Sequence, residues 1–270
     1  MKLQVLAAAV AASLAFPMAA LADNHEGLKV SGDITVAYDS VSESIDENGS
    51  EINFDGMSEV NGVTYMGHAE LDFQGNGNSP EIQEARVGAK GGFGEVWLGE
   101  VDNACDQYDP DDPDEWQGIG TSCKGSDRNS ILYKNQMGAA EFAVSHNPSS
   151  GTAQSAIGAR FGAGPVKVNL GYEDGVTTSA GADEGLLSYG VAGSFGDVAV
   201  SAEGNDDDDW AVHASYSANN TTVWGAVANS SDVDQWAVGY KMSHGKMDYI
   251  IEHKDLDTSD QTLAGLRYNF

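Results

Sequence analysis

The sequence predicts an all-β chain, a transmembrane antiparallel β-barrel of about sixteen strands, on three observations. Apolar and polar residues alternate with period two over long runs. The connections between runs alternate between tight glycine or asparagine turns and long acidic or serine-rich loops. Aromatic residues gather at the ends of the runs. Period two marks a strand with one apolar and one polar face. A membrane barrel adds strands of about 9–11 residues, short turns at one rim, long loops at the other and aromatic belts at both interfaces.

In chain order, the first run has Leu28, Val30, Gly32, Ile34, Val36 and Tyr38 on one parity and Lys29, Ser31, Asp33, Thr35, Ala37 and Asp39 on the other. The pattern returns at Val166, Val168, Leu170 and Tyr172, and at Leu187, Tyr189, Val191, Gly193 and Phe195. It continues at Trp210, Val212, Ala214 and Tyr216, at Trp236, Val238, Tyr240 and Met242, and at Ala264, Leu266, Tyr268 and Phe270. Tight turns are expected near Asn61-Gly62, 91–94, 162–164, Phe195-Gly196, Asn219-Asn220 and His244-Gly245. Long loops are expected near 40–50, 75–81, 102–127, 148–153, 175–184, 204–209, 229–234 and 256–260. A soluble β-sandwich, the competing architecture, uses shorter strands and needs faces that pack dry. The polar parity here is rich in Gly, Ser, Ala and charges, which suits a wet lumen. Two stretches, 84–90 and 222–228, do not declare which parity faces out.

Composition narrows the function. The 270 residues hold 42 acidic and 13 basic side chains, a formal net charge of −29. Binding nucleic acid requires a basic surface, so that class is excluded. Hydrophobic residues make up 41%, which argues against disorder despite the acidity. Residues 1–22 read as a secretory signal peptide: Lys2, an Ala/Leu/Val-rich stretch, and Ala20-Leu21-Ala22 before a cleavage point ahead of Asp23. Residues 23–270 then form the barrel domain. No P-loop, C-x-x-C or dinucleotide fingerprint is present, and nothing marks a nucleophile, so no enzyme is expected. The six histidines, among them His146, His213 and His244, show no metal-ligand spacing and read as lumen or rim residues. No metal site and no required cofactor are expected. The runs Asp206-Asp207-Asp208-Asp209 and 109–115 have oxygen ligands for Ca²⁺ but not EF-hand spacing, and plain solvated loops are the simpler reading.

Three segments resemble the general porins of Gram-negative outer membranes. Residues 87–99, VGAKGGFGEVWLG, are similar to their strand–turn–strand signature. The ending Leu266-Arg267-Tyr268-Asn269-Phe270 resembles the terminal-phenylalanine assembly signal, with Tyr268 and Phe270 as its aromatic residues. The opening Leu28-Lys29-Val30-Ser31-Gly32 is also porin-like. The resemblance implies a sixteen-stranded barrel in the cell outer membrane, usually a homotrimer, whose long third loop folds inward and narrows a diffusion channel. It further implies contact with outer-membrane lipid, lipopolysaccharide and the barrel-assembly machinery.

The segment in the third-loop position, 102–127, directly follows the signature and is the longest connection. Loops of this length without secondary structure are usually functional. From Asp102 to Glu115 it carries Asp102, Asp106, Asp109, Asp111, Asp112, Asp114 and Glu115 with no base, whereas the expected wall offers Arg86, Lys90 and, just after the loop, Arg128. Glu100 stands where relatives commonly carry Arg. A cation-preferring pore follows as the expectation; a solvated surface loop is the alternative. Cys105 and Cys123 are the only cysteines and flank this segment, so an exported chain is expected to join them in a disulfide. The bridge would rigidify the loop, a departure from the general pattern. Two other functions remain open at this stage. One is a structural or adhesive barrel with Ca²⁺-binding loops and a blocked lumen; the other is a soluble Ca²⁺-dependent β-sandwich.

Overall fold

The computed structural model of the chain describes residues 25–73, 80–109, 123, 130–148, 154–178, 181–230, 233–255 and 260–270. The expected leader, 1–22, lies outside the described residues. The strands are β1 (His25–Asp39), β2 (Ser44–Glu47), β3 (Ser50–Val60), β4 (Val63–Phe73), β5 (Glu81–Gly91), β6 (Gly94–Gly99), β7 (Ser130–Met137), β8 (Ala140–Asn147) and β9 (Gln154–Ala163). They continue with β10 (Val166–Thr178), β11 (Gly181–Phe195), β12 (Val198–Asn205), β13 (Trp210–Ala218), β14 (Thr221–Ser230), β15 (Val233–His244), β16 (Met247–Asp255) and β17 (Asp260–Asn269).

Strands β2 and β3 are two parts of one barrel strand. Both pair with β1, and the chain kinks between them at Asn48-Gly49, where Gly49 has φ +74°. That leaves sixteen barrel strands, each antiparallel to its neighbours. Residues 33–39 of β1 pair with 263–269 of β17, so the sheet closes on itself.

Two-residue turns join alternate strands: Asn61-Gly62, Gly92-Phe93, Gly138-Ala139, Gly164-Pro165, Gly196-Asp197, Asn219-Asn220 and Gly245-Lys246. In Asn61-Gly62 and Asn219-Asn220 both residues have positive φ, the geometry whose twist matches an antiparallel hairpin. These turns lie at one rim, together with the start of β1 and the end of β17. The expected loops at 40–50 and 175–184 are more regular than the sequence suggested. The first contains β2, and in the second β10 and β11 run on to Thr178 and from Gly181 as a continuing hairpin. Acidic and Ser-rich composition hid strand there because main-chain pairing tolerates it once two long strands are already in register.

The faces are inverted relative to a soluble protein. Val168, Leu170, Tyr172, Leu187, Tyr189, Val191, Val198 and Val200 all point outward and are exposed. Their neighbours Asn169, Glu173, Ser188, Ser201 and Glu203 point inward and are buried. An apolar band this continuous is tolerable only against lipid or another subunit. Outward aromatics mark both edges of the band: Tyr38, Trp210 and Trp236 at the long-loop end, Phe195, Tyr216, Tyr268 and Phe270 at the short-turn end.

The two undeclared stretches now resolve. In 84–90, Glu84 and Arg86 face inward, where they meet His68 and Trp97. In 222–228, Val223 and Val227 face outward, whereas Trp224, Ala226 and Ala228 face inward and form a buried apolar patch with Ala211 and Ala237. Trp224 lies over Gly239, where a Cβ would overlap the indole. Both parities of β14 are apolar, which is why alternation could not orient it.

The outward assignment has a measurable consequence. Val168→Arg should destabilise the inserted barrel by about 2–4 kcal/mol, as arginine does on a lipid-facing strand near the bilayer midplane. Lys167 already carries a charge one residue away on the inner parity. Urea unfolding from lipid vesicles reads the difference; an unchanged midpoint would mean that Val168 does not face lipid.

Candidate pore constriction

The segment after β6 turns into the barrel and lies on its inner wall. Val101, Ala104, Cys105 and Tyr108 are buried against Leu132 of β7, Ala143 of β8 and Ala156 of β9. The wall is shaped to receive them. A Cβ at Gly158 of β9 would overlap the Ala104 carbonyl, and one at Gly171 of β10 would overlap the Cys105 sulfur. Each glycine is required here for close approach of another segment rather than for its φ.

Polar contacts fix the register of this docking. The Ala104 N–H donates to Ser145 Oγ at 2.9 Å, and Asn103 Nδ2 donates to Glu173 Oε1 at 2.6 Å. Asn103 Oδ1 in turn accepts from the backbone N–H groups of Cys105 and Asp106, at 2.7 and 3.2 Å. That Asx turn starts the single 3₁₀ turn Asp106–Tyr108. Lys134 Nζ of β7 donates to Gln107 Oε1 at 3.1 Å. The Arg160 guanidinium of β9 sits 5.1 Å from the Tyr108 ring centroid, a cation–π contact. Burial, with Glu141 pushing the same way, raises the Tyr108 phenol above its ordinary pKa, so it stays neutral. Cys105 and Cys123 are joined in the expected disulfide, which ties the far part of the loop to this docked segment.

The predicted site residues fall into three groups. Asp102 is exposed and Asp106 and Asp109 are half-buried, all on the docked segment inside the barrel. Arg86 and Lys90 are on the wall on β5, and Glu100 is half-buried where the chain leaves β6, its N–H bonded to Ala85 O. Asp111, Asp112, Asp114, Glu115 and Arg128 lie outside the described residues.

Two bases that touch the loop, Lys134 and Arg160, are not among the site residues expected from the sequence. The signal was available, because each occupies the polar parity beside an outward aromatic, Tyr133 and Phe161. Four wall bases near the loop are ion-paired to wall acids. Arg86 Nη1 meets Glu84 at 2.8 Å, Lys90 and Lys134 meet Glu95 at 3.1 and 3.3 Å, and Arg160 holds Glu141 through Nε at 2.8 Å and through Nη2. Recesses of about 120 and 160 Å³ flank the docked segment, one beside Asp102 and Lys134, the other beside Tyr108, Arg160 and Lys167.

The Asp206–Asp209 run forms a capped turn. Asp206 Oδ1 accepts from the Leu187 N–H, and Asn205 Oδ1 accepts from the Asp207 and Asp209 N–H groups. Among the described residues this run contributes to no cluster of metal-ligating atoms.

A closed, sixteen-stranded barrel with an apolar exterior, a polar interior and a loop folded into its lumen is a transmembrane channel of the porin type. A model of the Gram-negative porin family matches residues 7–270, and the chain belongs to that family. It is an outer-membrane porin of a Gram-negative bacterium, forming a water-filled channel. No curated protein matches the chain. Among solved structures, a double mutant of the Rhodopseudomonas blastica porin is 16% identical, with 90% of this chain and 99% of that one covered and a TM-score of 0.74. A triple mutant of the same porin is also 16% identical, with the same coverage and a TM-score of 0.69. At that identity the likeness bears on fold alone.

The docking surface can be tested through its glycines. Folded wild-type protein should resist chymotrypsin at Tyr108, whereas Gly158→Val should admit cleavage there while the barrel still migrates as folded on an unheated gel. Equal resistance would mean that Gly158 does not seat the loop.

Proposed function

We propose that the channel passes water, ions and small hydrophilic solutes down their gradients with a modest preference for cations, and that the inward loop sets both aperture and charge. One observation carries the charge argument. Glu84, Glu95 and Glu141 engage Arg86, Lys90, Lys134 and Arg160, with Glu95 holding both lysines, so these four bases bring one net positive charge to the loop, to which Lys167 adds a second, against three acids on the loop. Asp102, Asp106 and Asp109 add negative charge on the docked segment. Three such acids about 8 Å from a permeating monovalent ion contribute roughly 1.5 kcal/mol at the dielectric constant of water. That is about a tenfold cation enrichment at low salt, falling to about two- or threefold at physiological salt. The disulfide holds the docked segment and its continuation as one body, which suits a fixed aperture.

The reading includes no catalysis, no energy coupling and no required cofactor, with Ca²⁺ at exposed acidic loops an accessory at most. A homotrimer is part of it. The outward parity of β3–β5 carries small residues, Gly56, Gly67, Ala69, Ala85 and Ala89, where other strands carry Leu, Val and Tyr, and small faces favour close packing within membranes. Lipid, lipopolysaccharide and the assembly machinery would be its further contacts, the last through Tyr268 and Phe270. Residues 1–22 would be removed on export.

The reversal potential across a planar bilayer in a KCl gradient tests the charge reading. The wild type should prefer K⁺, and the preference should weaken as both salt concentrations rise. The variant carrying Asp102→Asn, Asp106→Asn and Asp109→Asn should approach equal permeability. Anion selectivity in the wild type would contradict the reading.

A further inference from the structure

We propose that the lumen wall carries a site for a borderline divalent transition-metal ion, of which Zn²⁺ is the type, formed by His68 and Glu70 of β4 and Glu84 of β5. The potential ligand atoms of these three residues lie within 4.8 Å of one another. They come together by cross-strand register: Glu70 is directly opposite Glu84, and His68 is flanked by Asp55 on β3 and Arg86 on β5.

The imidazole is already oriented as a metal ligand. Its Nδ1 is 2.8 Å from Asp55 Oδ1, which assigns the ring proton to that nitrogen and leaves the Nε2 lone pair for a metal. A carboxylate behind a histidine is the usual outer-shell device for fixing tautomer and raising ligand basicity. Nε2 is buried and makes no hydrogen bond, although it faces Glu84 Oε2 at 3.3 Å. A cation between Nε2 and that carboxylate, whether a proton or a metal ion, makes the contact favourable.

The carboxylates show the same deficit. Glu70 and Glu84 are like charges directly across a strand pair, an arrangement that destabilises a sheet. Arg86 reaches Glu84 at 2.8 Å, but no hydrogen bond or ion pair from a described residue reaches Glu70. Asp55, Glu70 and Glu84 face one guanidinium, with Glu51 and Asp72 as further like charges acting on Glu70, and a divalent ion offsets part of that excess. One imidazole with two carboxylates selects zinc and its neighbours over Ca²⁺ and Mg²⁺, which take all-oxygen sets. Arg86 also contacts Trp97, which lines the recess beside Asp102, so the site lies close to the docked loop on the route through the barrel.

The experiment uses EDTA-stripped, detergent-purified folded protein, with ZnCl₂ titrated by calorimetry and against KCl current in a planar bilayer. Saturable binding of one Zn²⁺ per chain at micromolar concentration is expected, with partial block of current over the same range and no comparable effect of Ca²⁺. Asp55→Asn should weaken binding roughly 10- to 100-fold, as loss of an outer-shell partner does. His68→Ala and Glu70→Gln should abolish the saturable phase. Glu70→Gln also removes the like-charge opposition, so it keeps the fold intact. His253→Ala, on the outward parity, should change nothing. Undiminished binding in both His68→Ala and Glu70→Gln, or no saturable binding below millimolar Zn²⁺, overturns the site. The current block rests on the channel reading, whereas calorimetry does not. Absent current with intact binding would count against the channel and not against the site.

Discussion

The pairing of residues 33–39 with 263–269, the first strand with the last, is the constraint on which the molecule depends. Within hydrocarbon each unpaired backbone N–H or C=O costs several kcal/mol, so a sheet crossing a membrane must have no edge. Closure supplies that and divides every strand into a lipid parity and a water parity. The outward valines and leucines, the inward serines and carboxylates and the two aromatic edges follow from that division. The interior also becomes a defined space into which one loop can fold.

The loop exploits this space by contact rather than by length. Two glycines on adjacent strands, Gly158 and Gly171, lower the wall under Ala104 and Cys105, and Ser145 and Glu173 supply the polar anchors. The disulfide then joins this seated segment to Cys123. The wall beneath is a mosaic of ion pairs between neighbouring strands. Arg86, Lys90, Lys134 and Arg160 are held by Glu84, Glu95 and Glu141, and the loop brings Asp102, Asp106 and Asp109 into the same lumen. Charge preference therefore depends on the local balance of acids and bases around the loop, and less on the formal total of −29.

Most of the architecture was legible because period-two alternation is the same signal that lipid and water impose. Leu28 to Tyr38 and Trp210 to Tyr216 declare their faces without reference to any neighbour. The stretch 222–228 did not, because Trp224, Ala226 and Ala228 are apolar residues facing inward over Gly239. The acidic loop and its cysteines were visible as composition, but its seat was not, since Gly158 and Gly171 look like any other small lumen residues. Lys134 and Arg160 are readable from parity as lumen residues, but local sequence does not place them against a loop that precedes them. The His68 cluster has no spacing to read: Asp55, His68 and Glu84 are brought together by hydrogen-bond register across three strands, which local sequence does not encode.

We infer that the inward loop, and not the barrel wall, sets the conducting aperture. Single-channel conductance of a variant in which residues 102–127 are replaced by a short Gly-Ser linker tests it most directly. With the barrel verified as folded, conductance should rise well above that of the wild type and cation preference should fall together with it. An unchanged conductance would contradict the account, because the seated segment would then lie outside the path that ions take.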